Sequence, residues 1–344
     1  MLPAVRRQAR ACADLGSPMY AHLLTCLAAD LERDGVFAGV LAGHEHDPEP
    51  SALALRLLGS VHRLVLEGRA PELARFYPSV GGSWSPEAGG SAFAQTATDR
   101  PEAIRARLDR APQTNEVGRA AALLGGLRHV VARDRLPVRL REIGASGGLN
   151  LRADRFCYLD ENGREHGDPD SPVRLADAWR GRLPPEVDVH VVDRLGSDIA
   201  PVDATTEEGR LTLLSYVWPD QLARCARLRQ ALDVAVAVPA QVREQGAREF
   251  VDDLDLAEGT TTVLWHSVMW QYLEPDDQQA VRARIETLGT QATAGRGFAH
   301  LCLEPTRSTP PDEHEFLVVL RAWPGGERRV LGVAAPHGLP TRWR

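Results

Sequence analysis

The sequence predicts an α/β fold: a doubly wound, mostly parallel sheet that ends in an antiparallel hairpin, with an added α-helical N-terminal region. Three observations carry this expectation. From Val138 onward, short apolar runs rich in β-formers alternate with helical patterns. The first of these runs, VRLREI, ends in a glycine-rich stretch, GASGG, before residues from Leu149 that can start a helix. The last two, FLVVLRAW (316 to 323) and RRVLGVAA (328 to 335), flank a Pro-Gly-Gly turn.

The elements follow in chain order. Gly16-Ser17-Pro18 is a helix start signal, and Met19, Tyr20, Leu23, Leu24 and Leu27 then recur at helical spacing. Residues 43 to 51 form a polar loop. His44 and His46 in it have no spaced partners, so no metal site is read from the sequence. Leu55, Leu58, Val61, His62 and Leu66 outline a second helix, on which His62 reads as a core histidine with satisfied hydrogen bonds. Residues 81 to 91 are a second loop, and Pro101 to Asp134 reads as helical. Strands are expected at 138 to 143, 187 to 192, 240 to 244, 261 to 268 and 298 to 304, with helices at 220 to 236 and 275 to 288. The division expected is 1–112 for the helical region and 113–344 for the sheet domain. An insertion at 152–186 holds a hairpin turning at Asn162-Gly163.

Composition narrows the function classes. The formal charge of −7 argues against a nucleic-acid-binding surface, which needs clustered positive charge. No window approaches the length of a membrane span, and the N-terminus lacks the apolar core of a signal peptide. Five scattered cysteines without a C-x-x-C pair indicate neither a disulfide framework nor a zinc knuckle, so a cytoplasmic protein is expected. All 40 basic residues are arginine. A Schiff base to pyridoxal phosphate, a Walker lysine and a Ser-Lys dyad are therefore excluded.

GASGG, residues 144 to 148, supports two chemistries. As G-x-S-x-G it is the turn that presents a nucleophilic serine, here Ser146, with Asp312 and His337 in the right chain order to complete a triad. Taken from Glu142, it is close to the glycine loop that holds a nucleotide-like cofactor. Glu142 before the turn, a single preceding strand and the lack of an HGGG-type segment favour the cofactor loop. A parallel sheet closing in a hairpin is also the strand pattern of Rossmann-like S-adenosylmethionine-dependent methyltransferases. A third possibility is a non-catalytic protein that binds a ligand on this fold.

QTNEVGR, EIGASGGLNL, DRFCY, SPVRL, LGSDIAPVD, YVWPDQ, WHSVMWQY and a late His337-Gly338 occur in that order. Together they resemble a bacterial family known as domain of unknown function 2332, and the likeness runs from GSPMY near the start to the terminal PHGLPTRW. The resemblance implies a methyltransferase-like second half behind a helical N-terminal region. On that fold Glu142, Gly144, Gly148 and the nearby Asn150 fall at the cofactor loop, where Ser146 replaces the middle glycine. The ribose clamp is Asp193 or Asp198, with Asp198 favoured from the form of GSDIAP. Gly246-Ala247 stands without an acid at the adenine position.

His266, with Ser267, ends the fourth strand and Glu304 the fifth, so these two are the candidate proton acceptors. Gln113, Asn115, Glu116 and Arg119 form a polar set that either folds over the cofactor or, through Thr114 or Asn115, caps a helix. Asp220 and Gln221, near Trp218 and Arg224, form another such set. The expected reaction is attack of a small-molecule acceptor on the methyl group of S-adenosylmethionine, with orientation supplying most of the rate. The oligomeric state is not read from the sequence.

Overall fold

A computed structural model describes residues 1–48, 51–307 and 314–344. The chain divides into two compact units: Met1–Thr114 with Thr206–Arg229, and Asn115–Thr205 with Gln230–Arg344.

The first unit is helical. Its helix Pro18–Leu31 starts where the sequence signals it, and the Ser17 hydroxyl accepts the Tyr20 N–H at its N-terminus. Met19, Tyr20, Leu23, Leu24 and Leu27 are all buried in one core with Leu57, Leu58, Val61, Phe93 and Trp218. Each such large apolar side chain stabilises the fold by about 1.5–3 kcal/mol relative to exposure. His62, on helix Leu53–Leu66, is a satisfied core histidine: its Nε2 lies 2.8 Å from Ser79 Oγ and its Nδ1 3.1 Å from the Ser215 carbonyl. Burial pushes it down to about 4.

Among the described residues, the second unit carries one sheet of eleven strands. In chain order they are β1 (Val138–Ile143), β2 (Cys157–Asp160), β3 (Glu165–Gly167), β4 (Arg174–Gly181), β5 (Val191–Asp198) and β6 (Gln241–Glu244). Then come β7 (Thr260–Ser267), β8 (Arg296–Arg307), β9 (His314–Trp323), β10 (Arg328–Ala334) and β11 (Thr341–Trp343). Their spatial order is β3-β2-β4-β11-β10-β9-β8-β7-β1-β5-β6. The neighbours from β6 through β5, β1 and β7 to β8 are parallel throughout. Read along the sheet, these five are third, second, first, fourth and fifth in the chain. The order therefore reverses at β1 and β7, the switch point at which open α/β sheets bind ligands.

β9 and β10 form the expected antiparallel pair, and β9 is also antiparallel to β8. The insertion holds the expected hairpin, β2 against β3. It goes further than the sequence suggested: β4 pairs parallel with both β2 and β11, which joins the insertion to the sheet.

Three expectations need correction. The loop read at 81 to 91 gives way at Pro86 to the helix Pro86–Asp99, which the proline can open because its missing N–H is not needed in a first turn. The strand read at 187 to 192 lies at Val191–Asp198. Its polar residues are tolerated because ion pairs hold them: Asp193 with Arg141, and Arg194 with Asp154. The helical run from Pro101 to Asp134 is broken into Pro101–Arg105, a short 3-10 turn at Val117–Arg119, and the helix Ala120–Asp134. The residues between them include Pro112 and Asn115, and the Glu116 side chain, not Thr114 or Asn115, accepts the Gly118 N–H at the restart.

Side chains alternate along a strand, so register decides which face each meets. Glu142 is paired with Trp265, and Trp265 with Leu301. Leu301 fills the space above Gly126, so this face carries the helix Ala120–Asp134. Ile143, Leu264 and Phe298 turn the other way, into a core with Phe250, Val281 and Ile285 from helices Ala247–Asp252 and Pro275–Gln291.

Candidate functional site

At the switch point, β1 ends in Glu142 and Ile143 and the chain turns through Gly144 to Gly148. This turn is tight. Gly144, Ser146 and Gly148 all have positive φ, of 69°, 52° and 65°. A Cβ on Gly148 would come within 2.7 Å of Val242 Cγ2, so only glycine fits there without a shift. Gly144 is exposed, whereas Ala145 to Ala153 are buried.

The loop is stitched to the end of β5. Ala145 N–H donates to the Ser197 carbonyl at 3.0 Å, and Val202 N–H to the Ser146 carbonyl at 3.2 Å. Asp198, the favoured ribose clamp, already has both carboxylate oxygens in use. Oδ2 accepts the Ser146 N–H at 2.8 Å and Oδ1 the Ala200 N–H at 2.9 Å. Asp193, its alternative, lies at the opposite end of β5, paired with Arg141.

The polar segment before the helix Ala120–Asp134 packs onto this turn. Asn115 Oδ1 accepts the Leu149 N–H at 2.9 Å, and Asn150 Nδ2 donates to the Glu116 carbonyl at 3.3 Å. His337 Nδ1 lies 3.6 Å from Glu116 Oε2. Arg119 donates to the Ser267 carbonyl at the end of β7 (3.3 Å) and to the Pro336 carbonyl (3.2 Å). Four stretches distant in sequence thus meet at the carboxyl edge of β1 and β7. Gln113, Asp220 and Gln221 belong to the first unit. There Asp220 accepts the Ser17 hydroxyl (2.6 Å) and the Met19 N–H (3.0 Å), and Gln221 donates to the Leu15 carbonyl (2.7 Å). These two hold the start of helix Pro18–Leu31.

Glu142 is 2% exposed, and burial pushes its carboxyl up to about 8 against the pull of the neighbouring Trp265 indole and of Arg152 and Arg119. Its Oε2 and the Asn150 Oδ1 are buried acceptors with no hydrogen-bond partner among the described residues.

The other face of the same edge holds a linked polar group. His266 Nδ1 lies 2.7 Å from Glu304 Oε1, and His266 Nε2 lies 2.9 Å from His300 Nε2. Glu304 Oε1 also accepts the Met269 and Trp270 N–H groups, at 3.1 and 3.3 Å. Trp270 stacks on the His266 ring at 5.1 Å, with Arg282 over the Trp270 ring. Burial holds His300 well below the ordinary imidazole range and pushes the Cys302 thiol up to about 12. Both ring nitrogens of His266 are therefore engaged, and any proton-accepting role would run through Glu304 or His300. The sequence reading missed His300 and Cys302. A signal existed: in FAHLCLE, polar residues at 300, 302 and 304 occupy one face of an otherwise apolar strand.

For the serine-nucleophile alternative, Ser146 is 5% exposed, His337 lies against Glu116, and Asp312 lies outside the described residues. A cavity of about 670 Å³ opens elsewhere, beside the amino-terminal parts of β1, β5 and β6, with Arg139, Arg141, Asp193 and Asp255 in its lining. Its Arg139–Asp255 and Arg141–Asp193 pairs neutralise much of its charge, and it lies away from the carboxyl edge where the loop sits.

Sheet order and loop together define a mixed α/β protein with a mostly parallel sheet and a glycine turn at its switch point. The chain belongs to the family described as an uncharacterized protein conserved in bacteria, domain of unknown function 2332, which it matches over residues 3–343. No curated protein and no solved structure matches it. Among the described residues no helix is long and apolar enough to cross a membrane.

Proposed function

We propose that the second unit is an S-adenosylmethionine-dependent methyltransferase acting on a small molecule, with a methyltransferase-like sheet and its cofactor at the β1–β7 switch point. The observation that carries the reading is the convergence, at that point, of the glycine turn with Asn115–Arg119, the end of β7 and the His337 segment. The residues present fit the cofactor. Gly144 offers exposed backbone, and the unpartnered acceptors Glu142 Oε2 and Asn150 Oδ1 suit the ammonium and hydroxyl donors that such a ligand carries.

The bound cofactor supplies an electrophilic methyl group on a sulfonium. The chain's own part is to hold and orient. Glu142, Gly144 and Asn150 line the cofactor, Asp198 fixes Ser146 and the loop, and Asn115, Glu116 and Arg119 brace the turn from outside. Holding donor and acceptor in line converts a bimolecular step into a unimolecular one, the largest contribution available without an added base.

The test is ligand-dependent thermal stability. S-adenosylmethionine or S-adenosylhomocysteine at about 100 times its Kd stabilises the folded chain by about 2.7 kcal/mol, a rise of several degrees in Tm. No shift with either compound at millimolar levels removes the reading.

A further inference from the structure

His266, His300 and Cys302 each offer one ligand atom, and these atoms lie within 4.8 Å of one another. His266 and Cys302 are register partners on β7 and β8, and His300 stands two residues before Cys302. All three side chains therefore leave one face of two paired strands, a rigid base for a site. Two imidazoles and a thiol suit zinc-class cations and not calcium or magnesium, which take oxygen ligands.

Glu304 adds an independent feature. Its carboxylate can only accept, so at 2.7 Å it accepts a hydrogen bond from His266 Nδ1–H, which leaves Nε2 as the lone-pair nitrogen. That is the carboxylate–histidine arrangement behind many zinc-bound imidazoles. The two Nε2 atoms are 2.9 Å apart. A tetrahedral ion with Zn–N bonds of about 2.0–2.1 Å holds two such nitrogens roughly 3.3 Å apart, so the rings need to part by only a few tenths of an ångström.

We propose that His266 Nε2, His300 Nε2 and Cys302 Sγ form a three-ligand site for a zinc-class divalent cation, with Glu304 as the positioning residue for His266. On binding, the His300 proton moves from Nε2 to Nδ1 and the Cys302 thiol proton leaves to solvent, one proton released per cation. Three protein ligands leave a fourth position for water, as in catalytic zinc sites. The site does not depend on methyl transfer: it uses the face of the sheet opposite Glu142, and cobalt binding and S-adenosylhomocysteine binding can succeed or fail separately.

The test titrates the full-length, reduced, metal-stripped protein with Co²⁺. One Co²⁺ per chain is expected, with a thiolate-to-cobalt charge-transfer band that Zn²⁺ abolishes by displacement. Cys302→Ser removes the band. Glu304→Gln keeps it but weakens binding by about 10–100-fold, as expected for a group that orients a ligand. In the unmutated chain, Zn²⁺ should slow alkylation of Cys302 while Cys26, beside His22, serves as the internal reference. The proposal is overturned if the folded protein shows no charge-transfer band at millimolar Co²⁺. It is equally overturned if the band survives in Cys302→Ser, or if zinc leaves Cys302 alkylation unchanged.

Discussion

The two faces of the sheet at its carboxyl edge hold their carboxyl groups in different settings. Glu142 sits fully buried beside Trp265, and its carboxyl is pushed up to about 8. Glu304, one strand beyond β7 on the other face, gathers the His266 ring and two backbone N–H groups on Oε1. The physics is the same: a charge taken out of water must be paired, hydrogen-bonded or neutralised. Glu304 is hydrogen-bonded, and Glu142 is neutralised across much of the usual pH range. Oε2 of each is a buried acceptor without a hydrogen-bond partner among the described residues, so what sets Glu304 apart is the three donors gathered on its Oε1, which tie that carboxylate into the fold. The difference separates a structural carboxylate from a candidate binding one.

Breaking the side rich in hydrogen bonds should have the largest effect. Glu304→Leu strands three donors, the His266 Nδ1–H and the Met269 and Trp270 N–H groups, in a half-buried setting. At the lower end of about 1–3 kcal/mol for each unsatisfied group, the expected loss is on the order of 3 kcal/mol. Chemical denaturation monitored by circular dichroism measures it. A loss below about 1 kcal/mol would mean that the group is not the anchor its hydrogen bonds describe.

The same kind of change on the other face should stabilise. The folded pKa of Glu142, about 8, lies above its ordinary value of 4.5, so the folded state binds the extra proton between those two values. Ionisation therefore costs stability as pH rises through that window, on the order of 3 kcal/mol by neutral pH. Glu142→Gln removes the titration and keeps the shape. The variant should melt above the unmutated chain at about pH 8 to 9, with the gap closing toward about pH 4. A gap that does not change with pH would show that Glu142 is not held neutral by burial. The contrast between the two faces would then fail.

How far the sequence reached follows the same division between local and distant. The long parallel strands β1, β7 and β8 and the closing hairpin were legible because each is an apolar run bounded by turn residues. β4 and β11 were not, since their strand character comes from pairing across the sheet between residues about 160 positions apart. Trp179 and Trp343, which pack edge-on there, give no local signal of that pairing. In the candidate site, the glycine turn and the segment from Asn115 to Arg119 could be read as motifs, but not the bonds joining them. Asp220 and Gln221 looked like site residues because dense polar clusters occur in sites. They occur equally at helix starts, which is where the structure puts them. His300 and Cys302 share with Glu304 the alternation visible in FAHLCLE, but their link to His266, on another strand, could not be read.

The smallest and most local change tests the turn itself. Ser146, in the middle of the turn, has φ 52°, a left-handed conformation that costs a non-glycine residue about 1 kcal/mol. Its N–H is held by Asp198, so the backbone is fixed there whatever the side chain. Ser146→Gly relieves that strain but makes the unfolded chain more flexible, an opposing term of about 0.4–1 kcal/mol. The net effect on Tm should be within a degree or two of zero, because neither term dominates and the turn keeps its other hydrogen bonds. On the proposed methyltransferase reading, binding of S-adenosylhomocysteine should also survive, since the substitution restores the glycine that reading expects. If instead Ser146→Gly lowers Tm strongly or removes ligand binding, the hydroxyl itself is in use. The turn would then be read through its serine and not through its backbone.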